Sequence, residues 1–308
     1  MTNPTHARFD RNQTHARDER SRLVLGTMRR VTKNVAKGRY KVGLLEGLSQ
    51  DLQLLTPQIV TVHELFCVSR RQQHLDAVRL PYASKILGAA VAFEHENSDE
   101  IAAIFSRMTA KGAFVAEWQL RRVPHVDLAS VVMDHGRAAD LIIAGRTDPD
   151  WDLSPLLDFP ERLALESGRP VLVIPYAGRY PRIGRNVVIA WKAGRESTRA
   201  VFDALPLLKG ADNVHILEVK GRADQETMLG PDTSIAAALG RHGIKATIRT
   251  SVAPDISVGD EILSRLSDLD ADLLVMGAYG HSRMREIVFG GATRHIARHM
   301  TVPTLFSH

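Results

Sequence analysis

The sequence predicts an α/β fold of two tandem units, each an open, doubly wound sheet of five parallel strands, with the first unit degenerate. Along the second half of the chain, short apolar segments alternate with segments of helical periodicity, which is typical of parallel sheets flanked by helices. A block of sequence also recurs, because residues 139–145 read ADLIIAG and residues 271–277 read ADLLVMG. In each copy a proline-led apolar segment begins 25 or 26 positions after the glycine, which indicates a duplicated α/β unit.

The second copy contains every element of such a unit in order. Apolar or alternating segments predict its strands, and apolar residues three and four positions apart predict its helices. The strands are expected at residues 187–191, 214–219, 244–250, 273–276 and 303–306, and the helices at 196–208, 233–242, 258–269 and 293–300.

The first copy is recognisable only in its later part. Strands are expected at residues 115–120, 141–144 and 171–174, with a helix at 127–137, and residues 58–66 are compatible with an earlier strand. No segment corresponds clearly to strand 187–191 of the second copy. Residues 43–75 are therefore either strongly diverged from the repeat or unrelated to it, and the sequence leaves both alternatives open.

Charge separates a basic N-terminal segment from the rest of the chain. Residues 1–42 contain 11 Lys and Arg and three acidic residues, a net charge of +8, and the remainder carries −3. We expect residues 1–42 to form a flexible extension, residues 43–177 the degenerate unit, and residues 178–308 the complete unit. The basic segment has no aromatic platform and no nucleic-acid-binding motif, so a solvated extension is favoured over a nucleic-acid-binding tail.

Composition favours a cytoplasmic location. Cys67 is the only cysteine, so the chain can form neither an internal disulfide nor a thiolate metal site, which fits a reducing compartment. No apolar run reaches the length of a membrane span, and the N-terminal segment lacks the apolar core of a signal peptide. We therefore expect a cytoplasmic protein without membrane contacts.

A glycine-rich loop separates the strand at 273–276 from the last helix. Gly277 and Gly280 would let the chain turn closely beneath a ligand, and Gly290 and Gly291 lead into the helix. Backbone N–H groups at a helix start lack intrahelical partners, and the helix dipole favours an anion there. The N–H groups of residues 290–293 are therefore predicted to face phosphates, with the Thr293 hydroxyl capping the helix or contacting a phosphate oxygen.

This loop resembles the nucleotide loop of the universal stress protein family, in its tandem-domain form. In that family, the fourth strand is followed by a glycine, two residues, a glycine, nine residues, a third glycine and a small or hydroxyl residue. Gly277, Gly280, Gly290 and Gly291 have this spacing. The resemblance covers residues 178–308 well, 78–177 moderately and the first 75 or so hardly at all. It implies ATP bound on the loop, usually with a divalent cation such as Mg²⁺.

The loop and its neighbours define the candidate cofactor-binding residues. His281 and Arg283 follow the second glycine and either form a positive rim or stay in a solvated loop. Two positions depart from the family: Gly291 stands where Ser or Thr is usual, and Lys192 lies near the usual site of an Asp that helps hold the adenosine. The candidates are Gly277, Gly280, His281, Arg283, Gly290, Gly291, Ala292, Thr293, Trp191 and Lys192.

The first copy lacks the glycine loop. Gly145 is followed by RTDPDWD, with no second or third glycine, and Asp148, Asp150 and Asp152 would repel a triphosphate. We therefore expect ATP only in the second copy. The resemblance also implies a homodimer, or an intramolecular pseudo-dimer in which the final strands of the two copies meet edge to edge.

The sequence contains no metal site or catalytic group that we would assign. His295 and His299 are spaced like zinc ligands on the last helix, but no third ligand accompanies them, so a basic face at the helix C-terminus is the favoured interpretation. No nucleophile motif or acid/base pair is recognisable. We therefore name no catalytic residue and expect slow ATP hydrolysis at most.

Three functions of different classes remain. The first is a universal stress protein that binds ATP in its C-terminal domain and acts in stress response as a nucleotide-responsive binding module. The second is an oligomeric interaction protein of the same fold that has lost nucleotide binding, which Lys192 and Gly291 favour and the glycine spacing opposes. The third, an enzyme that adenylates a substrate, is opposed by the absence of a further motif.

Overall fold

The structure is a computed structural model of the 308-residue chain. The structure describes residues 22–28, 59–69, 102–103, 105–107, 109–110, 115–123, 128–146, 159–221, 233–253, 255–278 and 291–308.

A single sheet of ten strands runs through the described part of the molecule, in the order β3-β2-β1-β4-β5-β10-β9-β6-β7-β8. In the first half the strands are β1 Arg22–Met28, β2 Ile59–Ser69, β3 Val115–Val123, β4 Leu141–Gly145 and β5 Val171–Ile174. In the second half they are β6 Asn186–Ala190, β7 Asn213–Gly221, β8 Ala246–Ala253, β9 Leu273–Gly277 and β10 Thr304–Ser307.

The sheet consists of two parallel five-stranded units with the same order. Within each unit the strands are arranged third, second, first, fourth and fifth, and all neighbours are parallel. The two units meet where β5 and β10 pair antiparallel, with Leu305 opposite Leu172. The predicted fold class, two tandem doubly wound units, is confirmed.

The first strand of the first unit lies where we expected a flexible extension. β1 occupies residues 22–28, between β2 and β4, with Val24 opposite Leu141. The unit therefore begins well before residue 43, and β1 is the counterpart of β6 that we did not find. Its short apolar segment, Leu23 to Leu25, is flanked by basic segments, and we therefore assigned it to the charged extension. Pairing with β2 on one side and β4 on the other stabilises it as a strand.

Seven helices are defined in the described part of the chain. They are α1 Leu128–Gly136, α2 Phe159–Glu166, α3 Arg195–Asp203, α4 Leu205–Leu208, α5 Ser234–Arg241, α6 Val258–Asp268 and α7 Gly291–His299. The predicted helix at 196–208 is wrong in one respect, because it is interrupted at Ala204 and continues as α4. Pro206 has no N–H and disfavours continuation of a helix through the preceding turn.

The helices cover both faces of the sheet, because alternate strand residues point to opposite sides. On one face, Val188 and Leu274 belong to a core with residues of α1, α2, α6 and α7. On the other, Val187 and Ile189 pack with residues of α3, α4 and α5. Central strands with both faces buried explain the continuous apolar runs from which the repeat was recognised.

Asp272 ties the starts of β6 and β9 together. Its carboxylate accepts hydrogen bonds from the backbone N–H groups of Gly184, Arg185 and Asn186, with the shortest distances at 2.9 to 3.0 Å. Burial raises the pKa of the Asp272 carboxyl, and the backbone donors oppose that shift by stabilising the charged form. These hydrogen bonds, which we call the Asp272 clamp, satisfy backbone N–H groups at the start of β6, the central strand of the second unit.

Replacing Asp272 by Ala is expected to destabilise the protein by about 2–4 kcal/mol, because several partly buried N–H groups lose their acceptor. Asp212→Ala is the control: its carboxylate is 64% exposed and forms a surface ion pair with Arg185, so a change below about 1 kcal/mol is expected. Urea unfolding of both variants measures the difference. Equal effects would contradict a structural role for the clamp.

Candidate functional site

The candidate site lies at the carboxyl ends of β6 and β9, which are neighbours in the sheet. In open α/β sheets, ligands bind outside the carboxyl ends of the strands where the strand order reverses, and the β6–β9 junction is that point in the second unit. Three segments approach this edge: residues 191–194 after β6, the end of β9 at Gly277, and the start of α7 at Gly291.

Gly277 is where the start of α3 packs directly on the sheet. A Cβ atom at this position would lie 2.5 Å from the backbone nitrogen of Ser197 and 2.6 Å from the carbonyl carbon of Glu196. Real Cβ atoms do not approach backbone this closely, so no larger residue fits without moving α3. Gly277 thus serves the packing of α3 on the sheet, and its expected place beneath a ribose stays a prediction.

The start of α7 is open and suited to an anion. Gly291 is exposed, and no described atom lies within 4 Å of the place where its Cβ would be. Ala292 is half-buried beside it. The first N–H groups of a nine-residue helix lack intrahelical acceptors, and a helix start at the carboxyl edge of the sheet is a geometry that phosphate groups use. This end of the site fits a phosphate-bearing ligand.

Thr293 does not share this exposure. Thr293 is only 6% exposed, and it lines a small cavity between α2 and α7 together with Ala164 and Ala297. Thr293 is therefore buried at the contact between the two units, and its expected role at a phosphate or as a helix cap stays a prediction. The backbone N–H of Thr293 still belongs to the first turn of α7.

Trp191 and Lys192 have opposite environments at the end of β6. The Trp191 side chain is 7% exposed and belongs to a hydrophobic core, and its backbone nitrogen donates to Leu217. A large apolar ring that follows a central strand gains free energy from burial in the core. The predicted role of Trp191 in cofactor binding stays a prediction. Lys192 is exposed at the edge of the sheet, where an ammonium group can attract an anion.

Four candidates, Gly280, His281, Arg283 and Gly290, lie outside the described residues. Their roles in nucleotide binding stay predictions that rest on the spacing of the loop.

Three residues that sequence reasoning missed lie next to the site. Glu196 packs against Gly277, and its side chain is 13% exposed and paired with Arg195 at 3.0 Å. Ser307 accepts a hydrogen bond from the backbone of Ala278 at 2.7 Å, and His308 Nδ1 lies 2.9 Å from the Ala278 carbonyl oxygen. Ser307 and His308 thus contact Ala278, at the beginning of the glycine loop. No sequence pattern marks these contacts, because they join distant segments.

The two histidines of α7 belong to a contact with α6. His295 Nε2 lies 2.9 Å from Asp260 Oδ1, and the His295 ring occupies the space above Gly259, where a Cβ would come within 2.6 Å of it. His299 is adjacent, with a ring-centroid distance of 4.4 Å from His295. Among the described residues, no group of three His, Cys, Asp or Glu side chains is arranged to hold a metal.

The Asp260 carboxylate is also held by α6 itself. Ser257 caps the helix, accepting from the Asp260 N–H at 3.0 Å while its hydroxyl donates to Asp260 Oδ2 at 2.6 Å. The Ser257 hydrogen bond, with a smaller contribution from His295, lowers the pKa of Asp260. Because the candidate site includes the start of α7, this contact helps to fix the position of the site.

The carboxyl edge of the first unit differs from that of the second unit. Gly145 occupies the position of Gly277, but no described atom lies within 4 Å of the place of its Cβ. The next residue, Arg146, lies over the Tyr176 ring at 5.8 Å from the ring centroid. The predicted acidic loop, with Asp148, Asp150 and Asp152, falls outside the described residues.

Comparison with known proteins assigns the second unit to a family. Residues 185–308 match the model of the universal stress protein family. The chain therefore carries a universal stress protein domain, and this domain contains β6 to β10 and the candidate site. No curated protein is recognisably similar in sequence.

One solved structure extends the fold similarity to both units. A universal stress protein from Archaeoglobus fulgidus DSM 4304 has a TM-score of 0.65 and 15% identity, covering 94% of this chain and 96% of its own. A second structure, a putative universal stress protein from Pseudomonas aeruginosa UCBPP-PA14, has a TM-score of 0.48 and 14% identity, with 93% of each chain covered. At such low identity, the similarity to the first protein establishes a shared fold.

Among the described residues, no helix is both long enough and apolar enough to cross a membrane.

Two glycines of the site are expected to respond differently to alanine. Gly277→Ala should lower the free energy of unfolding by about 1–3 kcal/mol, because α3 must move away from the new methyl group. Gly291→Ala should change it by less than about 0.5 kcal/mol, because the position is open. Urea unfolding measures both. A neutral Gly277→Ala variant would contradict the close packing of α3 on β9.

The Asp260 contact predicts a pH dependence. The folded-state pKa of Asp260 is lowered, so its stabilising contribution is present above the pKa of an unfolded aspartate, about 4, and is lost as the pH falls through the folded value. Asp260→Asn is therefore expected to be less stable than wild type at pH 6, with a difference that shrinks below about pH 4.

Urea midpoints between pH 2.5 and 7, a range chosen to bracket about pH 4, measure this difference. Asp134→Asn, which removes a 70% exposed carboxylate from α1, controls for the loss of one negative charge. A gap between wild type and Asp260→Asn that stays constant with pH would contradict the proposed contribution.

Proposed function

We propose that the second unit binds ATP, with a divalent cation, at the start of α7, and that the protein acts in stress response as a nucleotide-responsive binding module. The observation that carries the proposal is the start of α7 at the carboxyl edge of the sheet, where Gly291 is exposed and no described atom lies within 4 Å of the place of its Cβ. It follows a loop whose glycine spacing matches the family's nucleotide loop, within a universal stress protein domain.

The chain's own residues have separable roles in this proposal. The N–H groups at the start of α7 bind phosphate oxygens, and the α7 dipole adds a modest attraction. Lys192 supplies a positive charge from the end of β6. Bound Mg²⁺ would neutralise part of the phosphate charge. No described residue is assigned a catalytic role, so the proposed activity is binding, with at most slow hydrolysis.

The packing at Gly277 favours a second candidate, an interaction protein of the same fold that does not bind nucleotide. The backbone of Glu196 and Ser197 fills the space above Gly277, so an adenosine has less room at this edge than the glycine spacing alone suggests. This function would depend on assembly. Because β10 already pairs with β9 and β5, a homodimer would have to use a surface other than the final strands.

The proposed setting is the cytoplasm, with adenine nucleotide as the ligand and no membrane or nucleic-acid partner. The single cysteine and the net charge of −3 outside the basic segment support this setting.

Gly291→Asp is expected to weaken ATP binding at least about tenfold, because a carboxylate is placed where phosphates would bind. Folding should be unaffected or slightly improved, since an acidic side chain suits a helix N-terminus. Isothermal titration with MgATP and urea unfolding measure the two effects separately. Gly280→Asp tests the loop itself.

Gly145→Asp is the control, because it introduces the same carboxylate at an open glycine of the first unit, the counterpart of Gly277. It should leave ATP binding unchanged. Absence of co-purified nucleotide by mass spectrometry, together with no heat from the wild type at millimolar ATP, would contradict the proposal and favour the interaction protein. Equal losses of binding in both variants would argue against a site confined to the second unit.

A further inference from the structure

The strand β8 forms one end of the ten-stranded sheet. It pairs with β7 on one side, and no described strand pairs with its other side. Half of its residues are exposed, namely Thr247, Arg249, Thr250 and Val252. The outward N–H and C=O groups of an exposed terminal strand can pair with another strand, so β8 is an edge suited to association with a second chain.

Val252 leaves an apolar side chain uncovered on this edge. It is 55% exposed, whereas natural edge strands usually carry charged residues or proline that prevent pairing. Alternate residues of a strand share a face, so Val252 lies on the same face as Ile248, which is half-buried against the core to which α5 contributes. An added strand that covers Val252 would therefore extend an existing apolar surface.

A second copy of the chain fits this edge when two β8 strands pair antiparallel about Thr250. In this register, Thr250 faces Thr250 of the second copy, and Val252 faces Ile248 of the second copy. Directly opposed residues of antiparallel strands lie on the same face, and both threonine pairs and pairs of β-branched residues are favourable there. The edge is thus complementary to itself.

Charge favours the same register. Lys245 precedes β8 and Asp255 follows it, both are exposed, and pairing about Thr250 places Lys245 of each chain opposite Asp255 of the other. Pairing about Arg249 would instead place two arginines directly opposite each other, which is destabilising. The charges at the two ends of β8 therefore complement those of a second copy.

We propose that the protein forms a symmetric homodimer in which two β8 strands pair antiparallel and join the two ten-stranded sheets. The inference goes beyond the proposed nucleotide binding and does not depend on it. The final strands are unavailable for this purpose, because β5 and β10 already pair with each other within the chain. Residues 247–253 of each chain form a contact only about 20 Å long, so dimerisation is expected to depend on protein concentration.

The first test is sedimentation equilibrium of the full-length chain over a range of protein concentrations. The wild type is expected to change from monomer to dimer as the concentration rises. Val252→Lys should weaken dimerisation at least about tenfold, because the apolar pair is lost and a lysine disfavours strand pairing at an edge. Phe202→Lys makes the same kind of change at an exposed apolar residue of α3 and should leave dimerisation unchanged.

A charge exchange tests the register. Asp255→Lys is expected to weaken the dimer about tenfold, because like charges then face each other at both ends of the contact. Combining it with Lys245→Asp restores opposite charges and should restore the wild-type affinity.

A disulfide tests the position of the symmetry axis. Cys67 is the only cysteine, so Thr250→Cys in a Cys67→Ser background gives one thiol per chain. Opposed Cα atoms in antiparallel strands are about 4.5–5.5 Å apart, which a disulfide can span, so oxidation should yield a covalent dimer. Thr247→Cys in the same background is the control, because its two copies would lie about 20 Å apart in this register.

Several results would overturn the proposal. A wild type that stays monomeric at every concentration would remove it, and a dimer that Val252→Lys leaves intact would place the interface elsewhere. Failure of the charge exchange to restore the affinity lost in Asp255→Lys, or equal disulfide formation in Thr247→Cys and Thr250→Cys, would contradict the register. Urea unfolding verifies that each variant is folded, and the cysteine variants alter only an exposed threonine of β8.

Discussion

The antiparallel pairing of β5 with β10 is the constraint on which the rest of the structure depends. It joins two five-stranded units into one ten-stranded sheet, so neither unit exposes its final strand as an edge. Exposed sheet edges invite pairing with other chains, and the duplication removes two of them within one molecule. The same pairing places α2 beside α7 and thereby brings the degenerate unit next to the candidate site of the other.

The site shows how one residue type serves two different purposes at the same edge of a sheet. Gly277 is small because the backbone of α3 lies against it, whereas Gly291 leaves open space at a helix start. A motif of spaced glycines does not distinguish close packing from ligand approach, because both require the absence of a Cβ. Gly277 lets α3 pack on β9, whereas Gly291 leaves room that the proposed phosphate site would use.

Most of the second unit could be predicted from the sequence, because its buried parallel strands are apolar runs and its helices have clear periodicity. The first unit could be predicted only in its later part. β1 was missed because seven residues between basic segments carry a weak signal, and their strand conformation depends on pairing with β2 and β4. Of the candidate site, the glycines and Lys192 were named from the sequence, whereas the contacts of Glu196, Ser307 and His308 were not.

The sequence by itself determined the duplication, the order of elements in the second unit and the place of the glycine loop, since each is a local or repeated pattern. The tertiary structure decided which side chains meet. It buried Trp191 in the core, buried Thr293 at the contact between α2 and α7, and packed the start of α3 on Gly277. The physical reason is that burial and long-range charge depend on contacts between segments far apart in the chain, and no local pattern encodes them.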